Sequence, residues 1–170
     1  MGSSAGGHLA STIATHSNPE LRPNFQILFY PVITMDKSYT HMGSHDNLLG
    51  KNASAELETE YSNEKQVTKD TPRAFIVYSD DDKTVPPANG VNYYLALNKN
   101  NVPSVLHIYP SGGHGWGIRE GFLYKNEMLD ELTSWLRSFK VPHKDAIRVA
   151  CIGNSITYGA RIKNRNRDSY

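Results

Sequence analysis

Three kinds of side chain that can act together on an acyl group stand far apart in the chain: Ser4, an aspartate of the run Asp80-Asp81-Asp82, and His114. Gly2-Ser3-Ser4-Ala5-Gly6 has the G-x-S-x-G spacing that holds a serine on a strained turn from a strand into a helix. Glycines flank that serine because side chains there would collide with the neighbouring strand and helix. A helix opening at Ala5 turns its positive end toward the turn, so the Ala5 amide is placed to donate to the oxyanion of a tetrahedral intermediate. On its own, such a glycine and serine cluster is also an ordinary turn. Its meaning depends on the rest of the chain.

An isolated run of three aspartates is usually a solvated acidic turn, and a lone loop histidine is usually a surface residue. Here the run directly succeeds an apolar strand ending at Tyr78. The next apolar strand ends in Pro110-Ser111-Gly112-Gly113-His114-Gly115-Trp116-Gly117, where glycines on both sides free the histidine. In that arrangement His114 acts as general base toward Ser4, and an aspartate fixes the imidazole tautomer and stabilises the imidazolium. Only one of Asp80, Asp81 and Asp82 can point at His114.

The elements around these residues predict an α/β sheet. Residues 5–16 are small and suit a helix packed closely on a sheet, ended by Asn18-Pro19. Residues 25–30, 74–78 and 105–109 are short, nearly continuous apolar runs, as expected of strands buried on both faces of a parallel sheet. Residues 87–98 and 121–139 carry apolar side chains at helical spacing, among them Tyr94, Leu95, Met128, Leu132 and Trp135. Strands alternating with helices give layered α/β architecture, and the order Ser, Asp, His is the one the α/β-hydrolase fold requires. The polar stretch 34–69, with possible short helices at 47–49 and 55–61, is too long for a simple connection and reads as an insertion flanking the mouth of the site. A further apolar strand, Ile147 to Ile152, comes after the break at Val141-Pro142 and opens a second unit.

Bulk properties narrow the function. The 170 residues carry 18 Lys plus Arg against 17 Asp plus Glu, a net charge of +1, so neither nucleic acid nor a membrane surface is an expected partner. Cys151 is the only cysteine, which excludes an internal disulfide framework.

Four segments together resemble bacterial acetyl xylan esterases and the related carboxylesterase α/β-hydrolases: residues 2–10, Tyr30-Pro31-Val32-Ile33, Asp82-Lys83-Thr84-Val85-Pro86, and Tyr109-Pro110-Ser111-Gly112-Gly113-His114-Gly115. The likeness spans about residues 1–139 and includes Tyr61-Ser62-Asn63-Glu64. It implies a serine carboxylic ester hydrolase that removes acetyl or similar acyl groups from sugars or polysaccharides, without metal or organic cofactor. The family's Asp-x-x-Val-Pro pattern makes Asp82 the acid. Trp116, two residues beyond the base, is expected either to stack on a sugar ring of the substrate or to pack in the core. A prolyl-oligopeptidase-type peptidase shares the Ser, Asp, His order and a similar histidine loop, but the Ser-Ala-Gly-Gly-His-Leu elbow favours the esterase. A non-catalytic folded module is the alternative of a different class.

The family has several strands, and an early His-Gly-Gly loop with a second oxyanion amide, before its elbow. The expectation is therefore a partial α/β-hydrolase fold, truncated before the nucleophile elbow, over residues 1–142. Residues 143–170 form a linker and the start of another domain. There Ile152-Gly153-Asn154-Ser155-Ile156-Thr157-Tyr158-Gly159 resembles the first block of GDSL-type, or SGNH, hydrolases, with Ser155 at the nucleophile position. The strand at 25–30 is expected to form an apolar edge through which two copies pair, making the chain a homo-oligomer.

Overall fold

The computed structural model describes residues 1–139. The strand and turn expected at 147–159, Ser155 and Cys151 all lie outside that range. Four strands form one sheet in the order β1-β2-β3-β4: β1 is Gly2–Ser3, β2 Phe25–Phe29, β3 Arg73–Ser79 and β4 Ser104–Tyr109. Every adjacent pair is parallel. Parallel neighbours need crossover connections, and the helices α1 (Ala5–His16) and α4 (Ala88–Lys99) supply them between β1 and β2 and between β3 and β4.

Burial depends on position in the sheet. Residues 74–78 of the interior strand β3 are wholly inaccessible, and Leu28 and Phe29 of β2 are nearly so. These runs are apolar without alternation because both faces are covered. Successive side chains of β3 show the two layers. Tyr78 lies against Gly90 of α4, where an added Cβ would come within 2.2 Å of its ring, whereas Phe75 meets the Trp135 ring of α5 (Lys125–Arg137) at 5.5 Å. Since 75 and 78 differ in parity, α4 and α5 cover opposite faces. The expectation of full burial fails for β4, whose residues 104–107 are half-buried and whose Ile108 is exposed. Among the described residues β4 is, like β1 at the other end, an edge strand, and an apolar run alone does not distinguish an inner strand from an outer one.

The expected open edge is also revised. Gly2 and Ser3 pair with Leu28 and Phe29, so β2 has a neighbour on each side at its carboxyl end. The reason is geometric, since a serine at the end of a strand brings that strand into the sheet beside β2. Phe25, at the other end, is covered by the rings of Trp135 and Phe139 at 5.9 and 5.4 Å.

The insertion contains α2 (Met42–Leu49), α3 (Ala55–Glu60) and a 3-10 turn at Asn63–Lys65. Ser54 starts α3 by accepting the Leu57 amide at 3.3 Å. Although a place at the site mouth is expected of the insertion, its latter part runs along α1. His8 Nε2 donates to the Tyr61 carbonyl at 2.8 Å, and the Asn63 side-chain amide donates to Ser11 Oγ at 2.8 Å and Thr12 Oγ1 at 3.0 Å. Further along the helix, His16 Nε2 lies 3.1 Å from the Glu60 carbonyl.

Candidate active site

Ser4 sits between β1 and α1 with φ 55° and ψ −126°, a left-handed conformation that is unfavourable for a residue with a Cβ. The strain is held by backbone bonds: the Ser4 amide donates to Phe29 O at 3.0 Å, and the Ser4 carbonyl accepts from Gly7 N at 2.9 Å and Val32 N at 3.0 Å. The glycines make that bend possible. A Cβ on Gly2 would stand 2.1 Å from the Gly6 carbonyl oxygen, and one on Gly7 would stand 2.5 Å from Pro31 Cβ. Ala5 occupies the first helical position, where an amide has no partner inside the helix.

At the carboxyl ends of β3 and β4 two loops face each other. Asp82 is 3% exposed, and its Oδ1 accepts the amides of Thr84 and Val85, both at 2.9 Å. This leaves Oδ2 for His114 Nδ1 at 2.6 Å. A carboxylate only accepts, so Nδ1 carries the proton, and Nε2 is then the acceptor for the Ser4 hydroxyl 2.8 Å away. Residues separated by 110 positions in the chain are thus joined in a continuous hydrogen-bonded line, Ser4 to His114 to Asp82. Of the three neighbouring aspartates, only Asp82 meets the imidazole. Asp81 Oδ1 instead accepts the Gly113 amide at 2.7 Å.

The imidazole has an aromatic wall. The Tyr30 ring meets His114 edge-on at 4.7 Å and Trp116 at 4.9 Å. Tyr30 also has positive φ, 35°, at the end of β2, and burial pushes its phenol above its ordinary pKa against the opposing pull of the Gly117 amide. Trp116 is 5% exposed and stacks on Phe122 at 3.8 Å with 7° between the planes. Of the two places expected for Trp116, against a sugar ring or packed in the core, this burial corresponds to the second, the glycines around it letting the loop fold back over the indole.

Ser4, Asp82 and His114 are therefore brought together, Ala5 adjoins them, Trp116 lies behind them, and Ser155 is outside the described residues. The contributions of Asp81 and Tyr30 are not evident from the sequence. Tyr30 lies in a segment that carries the family resemblance, and Asp81 adjoins the acid, but nothing in their spacing assigns either a contact.

The prolyl oligopeptidase family model matches residues 1–140. Over its whole length the chain is 48% identical, across 174 aligned positions, to the acetylxylan esterase of Xylanibacter ruminicola, of which it spans 36%. The crystal structure of an acetyl ester-xyloside bifunctional hydrolase from Caldicellulosiruptor lactoaceticus is 37% identical with a TM-score of 0.74, covering 79% of this chain and 54% of that one. A sugar hydrolase from Lactococcus lactis is 32% identical with a TM-score of 0.61, covering 79% of this chain and 53% of the other. The chain spans about a third to a half of the length of these relatives.

Proposed function

From the fact that this chain belongs to the prolyl oligopeptidase family, with a parallel α/β sheet flanked by helices, we propose that it is the triad-bearing part of a serine carboxylic ester hydrolase that removes acetyl groups from acylated sugars. The observation carrying the reading is the line of bonds at 2.8 and 2.6 Å from the Ser4 hydroxyl through His114 to buried Asp82. The sugar ester as substrate is suggested by the acetylxylan esterase and the acetyl ester-xyloside hydrolase.

In this mechanism Ser4 Oγ attacks the acyl carbon while His114 Nε2 takes its proton, and negative charge collects on the former carbonyl oxygen. The Ala5 amide at the start of α1 faces that charge. As the intermediate collapses, the C–O bond to the sugar breaks and the departing oxygen takes the proton from His114, leaving acyl-Ser4. Water then attacks the acyl carbon, losing its proton to His114, and acetate leaves as Ser4 recovers its proton. Asp82 remains ionised and holds the Nδ1–H throughout.

The test compares release of acetate from acetylated xylo-oligosaccharides with cleavage of a proline anilide, in the wild type and Ser4→Ala. Ser4-dependent deacetylation with no anilide cleavage is the expected result, and the reverse preference would replace the esterase reading with the peptidase one. We further read residues 152–159 as the opening block of an SGNH-type unit, on their resemblance to it. Under that reading the Ser4 site carries the deacetylation, and Ser155→Ala leaves the rate unchanged. Loss of activity in Ser155→Ala with retention in Ser4→Ala would invert the assignment.

A further inference from the structure

The two loops of the site are held together by more than the bond from Asp82 to His114. Parallel pairing of β3 with β4 runs to Ser79 and Tyr109 and continues one step further, the Asp80 amide donating to Tyr109 O at 2.7 Å. Beyond that the chains diverge, and side chains take over. Asp81 Oδ1 accepts the Gly113 amide at 2.7 Å and Asp82 Oδ2 accepts His114 Nδ1 at 2.6 Å, so two consecutive carboxylates grip two consecutive residues of the opposing loop.

That loop needs an anchor. Gly112, Gly113 and Gly115 all have positive φ, at 146°, 58° and 84°, and glycine loses more backbone freedom than any other residue when a single conformation is imposed. A Cβ on Gly112 would press on Ser79 Oγ and the Phe122 ring, but beyond their own chain neighbours no atom lies within 4 Å of where a Cβ on Gly113 or Gly115 would stand. On the side where a side chain would stand nothing packs against these two glycines, and Gly113 immediately precedes the base. The Gly113 amide is also the foremost of the influences that hold the Asp81 carboxyl below the ordinary aspartate range, so the contact is a charge-assisted bond at neutral pH.

We propose that Asp81 is a positioning residue, its carboxylate latching Gly113 so that the His114 imidazole is held between Asp82 and Ser4. Two adjacent aspartates thereby divide the work, with Asp82 orienting the ring and Asp81 orienting the backbone that carries it. This rests on the reading of His114 as the base of Ser4, and the experiment separates the two claims.

The experiment uses the full chain as wild type, Asp81→Ala, Asp81→Asn and Asp80→Ala. It tracks two readouts: the rate at which a fluorophosphonate modifies Ser4, and the downfield proton resonance of the His114 Nδ1–H in chain carrying nitrogen-15 histidine. Asp81→Ala is expected to slow modification on the order of tenfold to a hundredfold, as loss of alignment does, and to broaden or shift the downfield proton. Asp81→Asn keeps an oxygen acceptor and should return both readouts most of the way to wild type, and Asp80→Ala should change neither. A merely structural Asp81 would lower the melting temperature of Asp81→Ala while the resonance stayed in place, and that outcome overturns the proposal. An unmodified Ser4 in the wild type, with the resonance still responding to Asp81→Ala and recovering in Asp81→Asn, removes the esterase reading and leaves the latch standing. Equal modification rates and an unmoved proton in Asp81→Ala remove the latch and leave the esterase reading standing.

Discussion

Two histidines, His8 and His114, each make a short hydrogen bond to a group far along the chain, yet they sit in environments of opposite kind. His8, four residues past the elbow serine, is 6% exposed and donates from Nε2 to the Tyr61 carbonyl at 2.8 Å. Burial leads in pushing its pKa below the ordinary histidine value, which favours the neutral ring. Around it Asn63, Ser11 and Thr12 spend their polar atoms on one another. His114 instead faces a hydroxyl on one side and a carboxylate on the other, with 19% of its side chain open. In the first arrangement no carboxylate among the described residues pairs with the ring, and the bond holds a helix to an insertion. The second has both a proton donor and a compensating charge, which is what proton transfer requires. The partner set, rather than burial or bond length alone, separates a clamp from a base.

Removing each ring in turn should have opposite effects. His114→Ala should lower ester turnover by about ten-thousand-fold with little change in melting temperature, since triad members act as a unit. His8→Ala should do the reverse, lowering the melting temperature while folded molecules keep their turnover. Comparable activity losses in both variants would erase the distinction.

Within the His114 region, Trp116 divides packing from chemistry. Truncating a buried indole removes about 3–5 kcal/mol, or a fall in melting temperature of about 6–20 °C for a chain of this size. Trp116→Ala should therefore melt much earlier while its Michaelis constant for a sugar ester stays near wild type. A raised Michaelis constant with unchanged melting would return Trp116 to the substrate.

On the clamp side, Asn63 is wholly buried and bonded to Ser11 and Thr12. Asn63→Ala leaves those partners unsatisfied and should cost about 1–3 kcal/mol, read as a shift in the denaturant midpoint. The smallest effect is in pH. Because the folded state lowers the pKa of His8, its contribution is complete above the ordinary value near 6.5 and is lost as pH falls through the lowered one. The gap in melting temperature between wild type and His8→Gln should thus narrow on acidification, and a gap that widens in acid would mean that His8 is charged in the clamp.

Much of this architecture is legible in the sequence. The runs at Phe25, Ala74 and Val105 announce strands because a parallel sheet covered on both faces tolerates no alternation, and α1 is implied by small residues that must pack closely. Ser4, His114 and the run Asp80-Asp81-Asp82 stand out because each lies where a strand ends, and the order of such ends carries over to the sheet edge; Asp82 is singled out from the run by the family resemblance. The half-exposure of β4 cannot be read, since an apolar run is the same on an inner and an outer strand. Trp116 is ambiguous because the positive φ of Gly115 and Gly117 directs the loop inward, a fact of conformation rather than composition. The path of the insertion along α1 depends on Asn63 meeting Ser11 and Thr12, residues about fifty positions apart whose polarity names no partner. Asp81 and Asp82 are chemically identical, and while the family pattern points to Asp82 as the acid, only the register of two loops assigns Asp81 to Gly113.

Whether His114 and Asp82 make Ser4 nucleophilic is decided by treating the chain with a fluorophosphonate and mapping the adduct by mass spectrometry. One adduct is expected, on Ser4, absent from Ser4→Ala and formed far more slowly in His114→Ala. An unmodified Ser4, or an adduct on Ser155 that forms equally in Ser4→Ala, would contradict that activation of Ser4.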